Sequence, residues 1–291
     1  MSRWLEYEEA HGKDHTVSGR AVVWRGLECP LPGGERDIVV YLPPSLARTW
    51  KIDGGPRATD SAAPGHSYPV LYFHDGQNVF DAKTSYVGEW GADETLETLA
   101  GEGLEAIAVA IPNGGKARMD EYNPWRSRSR FAKGRLMGGQ GDAYLDWLVG
   151  AVKPLVDRSF PVDSRREATG AVGSSMGGLM SLYALLAHGD TFGLAGVMSP
   201  SIGWSRYRVL KLIEERGLPP ARIHLDMGGR EWRGMMNDAR RLKAALLACG
   251  FEEGRNLHYV EERYAIHREN AWARRLPDAL RFLLADTRRV I

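Results

Sequence analysis

The stretch GAVGSSMGGLM, residues 170–180, places two serines and a methionine between pairs of glycines, just after an alternating apolar segment. A serine between glycines can be a plain turn. It can also be a nucleophile held on a turn too tight for larger neighbours. Gly173, Ser174, Ser175, Met176 and Gly177 fit G-x-S-x-G with Ser175 at the centre, between a predicted strand and a predicted helix. In that setting the central residue is strained, and side chains at the flanking glycine positions would clash. The following helix would aim its N-terminal N–H groups and positive dipole end at a developing oxyanion. Ser174 competes for the role but has no glycine on its far side.

A serine nucleophile needs a base, and the base needs an orienting group. Around such an elbow the partners follow in chain order as acid, then histidine. His258 and His267 lie beyond the acid candidates. His258 falls inside a predicted strand. His267, in RYAIHRENAW, falls on a loop before the last helix, where it can reach back over a sheet. The acid candidates are Asp226, Glu231 and Asp238. Glu231 is favoured, because it follows GGR at the carboxyl end of the strand RIHLDM; Asp226 lies within that strand and Asp238 in the next helix. The two oxyanion donors are assigned to the amide of Met176, after the nucleophile, and that of Gln77, in the HDGQN turn after PVLYF. His74 and Asp75 in that turn lack a matching ligand cluster, so they read as loop-fixing groups rather than a metal site.

The elements that must position these residues follow a regular rhythm. TVSGRAVVWRGLE (16–28) and RDIVVYLPP (36–44) predict two strands joined by PLPGG. The next segment to residue 67 is rich in Gly, Pro and Ala and reads as a surface loop. YPVLYFHDG and LEAIAVAIPNGG predict buried strands, with the helix EWGADETLETLAGEG between them. DAYLDWLVGAVKPLVDRSF predicts an amphipathic helix with Asp142 as N-cap and a kink or early end at Pro154. From residue 166 onward, four strand–helix pairs follow. Strands alternating with helices predict one α/β domain over residues 1–291: a mostly parallel sheet, antiparallel N-terminal edge strands at about 16–44, a core at about 68–284, and helices on both faces. Active sites in such sheets form at the carboxyl ends of the strands.

A formal net charge of +1, with 43% apolar and 26% charged residues, gives no pull towards nucleic acid or an anionic membrane. The basic run RSRSRFAKGR (126–135), with Arg126, Arg128 and Arg130, reads as a solvated loop. Cys29 and Cys249 lie far apart and outside any C-x-x-C pair, which argues against a disulfide framework or zinc site and fits a reducing compartment. No secretory h-region and no apolar run of roughly 18–20 residues is present, so the expectation is a cytoplasmic protein without membrane contact. No heptad pattern marks an interface, and a homo-oligomer stays open.

Together these pieces resemble the esterase family related to esterase D within the α/β-hydrolases, a group that includes enterochelin, feruloyl and acetylxylan esterases and the mycolyltransferases. The matching segments are YPVLYFHDGQNVFD, RMDEYNPW, GDAYLDWLVGAVKPLVD, GAVGSSMGGLMSLYALL, GVMSPSIGW, LDMGGRE and HRENAWARRLPDALRFL. They cover most of the chain from about residue 36 to 284. The resemblance implies the α/β-hydrolase fold, with Ser175 as nucleophile, His267 as base, Glu231 as the acid after a G-x-x-[DE] turn, and Gln77 and Met176 forming the oxyanion hole. Ile266 stands where the family often has a glycine directly before the histidine. The implied reaction is acyl transfer from an ester to water through an acyl-enzyme, with no metal or cofactor and a small-molecule or carbohydrate ester as substrate. Trp90, Tyr122, Trp125 and Trp204 are expected near the rim, either stacking on a sugar or aryl group or capping the core. Arg118 and Glu121 are expected to pair.

The same site would also serve an acyltransferase, a thioesterase or a peptidase. A non-catalytic binding module on a dead hydrolase fold would be expected to lack the serine, the histidine or the glycines, and all are present.

Overall fold

The runs VLYFH, IAVAI and LAGVM become strands in which every residue is buried. Short runs without polar alternation suit the middle of a parallel sheet covered on both faces. In the computed structural model, residues 4–52, 67–128 and 134–285 are described. Their elements are β1 (Trp4–Glu6), α1 (Tyr7–His11), β2 (Arg20–Leu27), β3 (Arg36–Leu42), α2 (Pro44–Ala47), β4 (Val70–His74), α3 (Ala92–Gly101), β5 (Ile107–Ile111), α4 (Arg118–Glu121), β6 (Ser127–Arg128) and β7 (Leu136–Met137). There follow α5 (Gly141–Trp147), α6 (Lys153–Ser159), β8 (Thr169–Ser174), α7 (Met176–Ala187), β9 (Leu194–Met198), α8 (Arg208–Arg216), β10 (Arg222–Gly228), α9 (Met235–Ala248), β11 (Leu257–Glu262) and α10 (Glu269–Leu284).

Nine strands form one sheet in the order β1-β2-β3-β5-β4-β8-β9-β10-β11. Pairing is antiparallel from β1 to β5 and parallel from β5 to β11. Leu182, Ile213 and Leu242 pack α7, α8 and α9 on one face, with Tyr144 and Leu148 of the segment around α5. Leu96, Leu99, Leu276, Leu280 and Leu283 pack α3 and α10 on the other. This is the mostly parallel α/β architecture, helices on both faces, that the sequence predicts.

Local details depart from expectation. The outermost edge strand is β1, from a polar N-terminal segment with too few apolar residues to announce a strand. It pairs Trp4 with Trp24 and buries Trp4 against Phe160. Asp142 is not the N-cap of α5; the cap position is Gln140, and Asp142 lies in the first turn, where its carboxylate accepts the Tyr183 hydroxyl at 2.6 Å. Pro154 does not end the helix. A π-helical turn over Leu148–Val152 separates α5 from α6, and Pro154 sits in the first turn of α6. Wider i→i+5 bonding accommodates a residue that has no N–H to give. The loop predicted up to residue 67 lies partly outside the described residues, as does Arg130 of the basic run; Arg128 is exposed on β6.

The N-terminal segment is tied to the loop after β4. The Tyr7 hydroxyl donates to Asp81 Oδ2 at 2.7 Å, and Thr16 donates to Asp81 Oδ1 through its N–H and its hydroxyl, both at 3.3 Å. A cavity of about 80 Å³ between them is lined by Tyr7, His11, Phe80 and Gln77.

Candidate active site

Ser175 sits between β8 and α7 with φ 58° and ψ −117°, a conformation that costs a non-glycine residue energy. The turn is closed by glycine: a Cβ on Gly173 would lie 2.7 Å from the backbone carbon of Gly177. Ser175 Oγ lies 2.9 Å from His267 Nε2 and 3.1 Å from Ser201 Oγ. His267 Nδ1 lies 2.6 Å from Glu231 Oε2. The loop after β10 thus brings Glu231, and the loop before α10 brings His267, to the serine at the carboxyl end of β8.

The Glu231 side chain is buried, and its second oxygen is fully engaged. The Gly228 N–H donates to Oε1 at 2.9 Å and the Ser199 hydroxyl donates to it at 2.6 Å. Ser199 is buried at φ 41° and was not singled out by the sequence. Its oxygen accepts Trp272 Nε1–H at 3.0 Å and Arg275 Nη2–H at 2.9 Å. A hydroxyl has two lone pairs and one hydrogen. With both lone pairs taken, the hydrogen is left for a carboxylate, and Glu231 at 2.6 Å wins over Asp226 Oδ1 at 3.5 Å. The signal available in sequence was the Ser-Pro following a buried strand, which alone does not reveal this role.

The other acid and base candidates lie deeper or apart. Asp226 is buried on β10, 3.1 Å from His224 Nε2 and accepting Arg275 at 3.0 Å. Burial pushes its carboxyl up, but His224 and Arg275 outweigh that and hold it below the usual carboxylate range. His258 on β11 faces His224, with their Nδ1 atoms 3.0 Å apart. Asp238 lies in the first turn of α9.

Gln77 lies in the single turn Gly76–Asn78 directly after β4. Gly76 is demanded by close approach, since a Cβ there would lie 2.3 Å from the Ile111 nitrogen. A Cβ on Gly177 would come within 3.2 Å of His74 Cβ, so this turn abuts the start of α7, where Met176 is the first residue. The turn is fixed from below. Asp75, at φ 56°, accepts Arg118 Nε at 2.6 Å and Nη2 at 2.7 Å, and Asn113 Nδ2 at 2.6 Å. Burial pushes the Asp75 carboxyl up, but Arg118 and Asn113 together hold it below its ordinary range. His74 Nδ1 lies 2.9 Å from the Tyr144 hydroxyl, and burial pushes His74 down to about 4, so its ring is neutral. Among the described residues, no group of three or more His, Cys, Asp or Glu side chains is placed to hold a metal ion.

Two of the four aromatics expected near the rim, Trp90 and Tyr122, do not lie there and cannot stack on a ligand. Trp90 is buried between Phe73 and Trp272, and Tyr122 is buried against His74 and Tyr144, its hydroxyl accepting the Asp75 N–H at 2.8 Å. Both loops fold under the surface, so these rings cap the core. Trp125 and Trp204 are half-buried. Trp125 packs on Tyr183, and the Trp204 carbonyl accepts the Ser127 hydroxyl at 3.2 Å, joining the two segments three residues beyond Ser201. Arg118 and Glu121 do not pair. Arg118 holds Asp75, while Glu121 is buried against Arg36 at 2.5 Å, because each side chain finds a partner from another segment. The aromatic that the sequence reading passed over is Trp232, 57% exposed, stacked on His267 with ring centroids 4.5 Å apart.

The profile of the Esterase family matches residues 32–283. The chain is 26% identical over 264 residues to the uncharacterized protein YbbA of Bacillus subtilis, spanning 88% of this chain and 95% of that one. It is 27% identical over 216 residues to the ferri-bacillibactin esterase BesA of Bacillus subtilis, spanning 68% and 73%. Among solved structures, the siderophore hydrolase EstA from Aspergillus nidulans superposes with a TM-score of 0.65 at 20% identity, over 92% of this chain and 95% of that one. With the family profile covering most of its length, the chain belongs to the Esterase family and is a carboxylic ester hydrolase.

Proposed function

We propose that this hydrolase works through an acyl-enzyme on Ser175, with His267 as general base and acid and Glu231 orienting the imidazole. The observation that carries the reading is the chain of contacts from Ser175 Oγ to His267 Nε2 at 2.9 Å and from His267 Nδ1 to Glu231 at 2.6 Å. Ser175 attacks the ester carbonyl as His267 takes its proton. The amides of Gln77, in the turn after β4, and of Met176, first residue of α7, receive the oxyanion. His267 then protonates the leaving alcohol, and water activated by the same histidine frees the acid. The acid–base pair is water-shielded, as both side chains are largely buried.

The substrate class we favour is a siderophore ester, on the names of BesA and EstA. Trp125 and Trp204 are the rim aromatics available to such a ligand. We place the enzyme in the cytoplasm, where the unpaired Cys29 and Cys249 stay reduced, and take the chain to be one domain.

The test is a panel of p-nitrophenyl esters and ferric siderophore esters, run on wild type, Ser175→Ala and His267→Ala, beside fluorophosphonate labelling. Hydrolysis and labelling in wild type, both lost in Ser175→Ala, are expected. Labelling that persists in Ser175→Ala would remove Ser175 from the mechanism.

A further inference from the structure

We infer that Trp232 is a positioning residue for His267, its indole face stabilising the imidazolium that general-base catalysis creates; this rests on the assignment of His267 as the base. Glu231 and Trp232 are adjacent in sequence and address the same ring in two ways. Glu231 meets its edge at Nδ1, 2.6 Å away. Trp232 covers its face, with ring planes 29° apart and centroids separated by 4.5 Å. Trp272, buried, approaches perpendicular to the imidazole at 4.9 Å.

The loop carrying Trp232 is joined to the loop carrying His267. The Gly229 N–H donates to the Glu262 carbonyl at 2.8 Å, and the Arg230 N–H to the Ala265 carbonyl at 2.9 Å. A Cβ on Gly228 would lie 2.6 Å from the Ala265 oxygen, so the two loops are in close backbone contact. Trp232 is therefore held over the ring by the backbone beneath it, although more than half of its surface is open to water.

An indole face attracts a cation through its quadrupole and offers a neutral ring only dispersion. The stack therefore favours the protonated imidazole over the neutral one, and its benefit is greatest when Ser175 has transferred its proton. The charged groups around the ring include Glu231, Arg275 at 3.8 Å from Glu231 Oε1, Glu269 at the start of α10 and the Asp75–Arg118 pair beyond it, with Arg268 next to His267 and Arg230 and Arg233 flanking Glu231 and Trp232 in sequence. Trp232→Phe compared with Trp232→Leu separates the π face from these charges, which both variants retain.

The experiment compares wild type with Trp232→Leu, which keeps an apolar cover, and Trp232→Phe, which keeps a π face. It reads the His267 ring resonances by NMR across pH, and kcat and KM on p-nitrophenyl acetate. For Trp232→Leu, the His267 resonances and the acid limb of kcat/KM are both expected to move to lower pH, with kcat reduced about 2- to 30-fold and KM little changed. Trp232→Phe should recover most of both. An unchanged NMR midpoint in Trp232→Leu overturns the inference. So does a rise in KM in both variants at constant kcat, which would make Trp232 a substrate platform instead. The NMR arm needs no turnover: if wild type hydrolyses no ester, the esterase mechanism fails separately and the midpoint still decides the role of Trp232.

Discussion

Ser199→Ala would test whether hydrogen-bond saturation at one hydroxyl holds the acid in place. The hydroxyl makes three close contacts, to Glu231, Trp272 and Arg275. Arg275 Nη2 keeps Asp226 Oδ1 at 3.0 Å, so it is not orphaned. Trp272 Nε1 loses its bond inside the core, which costs about 1–3 kcal/mol, and the lost bond to a charged carboxylate adds about 1 kcal/mol or more. A total of about 2–4 kcal/mol lowers the melting temperature of a chain this size by roughly 3–7 °C. Ser199→Gly should fall less, by about 0.5–1 kcal/mol, because glycine relieves the φ of 41°. Circular dichroism melts of Ser199→Ala in wild-type and Trp272→Phe backgrounds give the coupling directly, expected at about 1–3 kcal/mol. Freed of one anchor, Glu231 should hold His267 less well, and kcat should drop about tenfold. A coupling near zero, or a Ser199→Ala protein as stable and active as wild type, would refute the saturated-hydroxyl reasoning.

Other substitutions probe the scaffold. Gly76→Ala forces a Cβ to 2.3 Å from backbone at Ile111 and should cost at least about 1–3 kcal/mol and most of the esterase activity, whereas Gly101→Ala, which meets open space, should cost neither; equal melts for the two would be a contrary result. Asp93 is buried in the first turn of α3, and burial followed by its Glu94 neighbour pushes it up to about 8. Its folded value lies above the unfolded one of about 3.9, so its contribution is complete below that pH and is lost as pH rises through 8. Asp93→Asn keeps an oxygen for the Ser18 N–H, and its melting advantage over wild type should grow from pH 5 to pH 8.5; a constant gap would count against the raised value. His74 has the opposite sign: its folded value of about 4 lies below 6.5, so the stability it gives is present above 6.5 and is lost as pH falls towards 4. His74→Phe should flatten the melting profile over that interval, and an unchanged slope would show that another group sets it.

The elbow was legible because its constraint is local: a Cβ on Gly173 would meet the backbone of Gly177, four residues on, at 2.7 Å. Glu231 and His267 drew attention because strand ends are the addresses from which loops converge, and the structure brings both side chains within hydrogen-bonding reach of one another. What was illegible depends on partners far away in sequence. Trp90 and Tyr122 stand in loop-like segments, and only the tertiary packing of α10 and α5 decides that they face inward. Arg118 and Glu121 have the spacing of a helical pair, yet buried ion pairs with Asp75 and Arg36 outcompete it. Ser199 gains its role from Glu231, after β10, and from Trp272 and Arg275, one turn apart on α10, and no periodicity around Ser199 carries that information.

The order of the sheet divides the molecule at β8. Strands β1 to β5 lie on one side and β9 to β11 on the other, so Gln77 belongs to the first part of the chain while Ser175, Glu231 and His267 share one uninterrupted later stretch. The proposed proton relay thus occupies one block of the sequence. Recombination between relatives with its crossover between α6 and β8 would swap the Gln77 amide and Trp125 together, leaving every bond of the relay within a single parent. Such chimeras would exchange the rim and keep the proposed nucleophile, separating the two parts of the site experimentally.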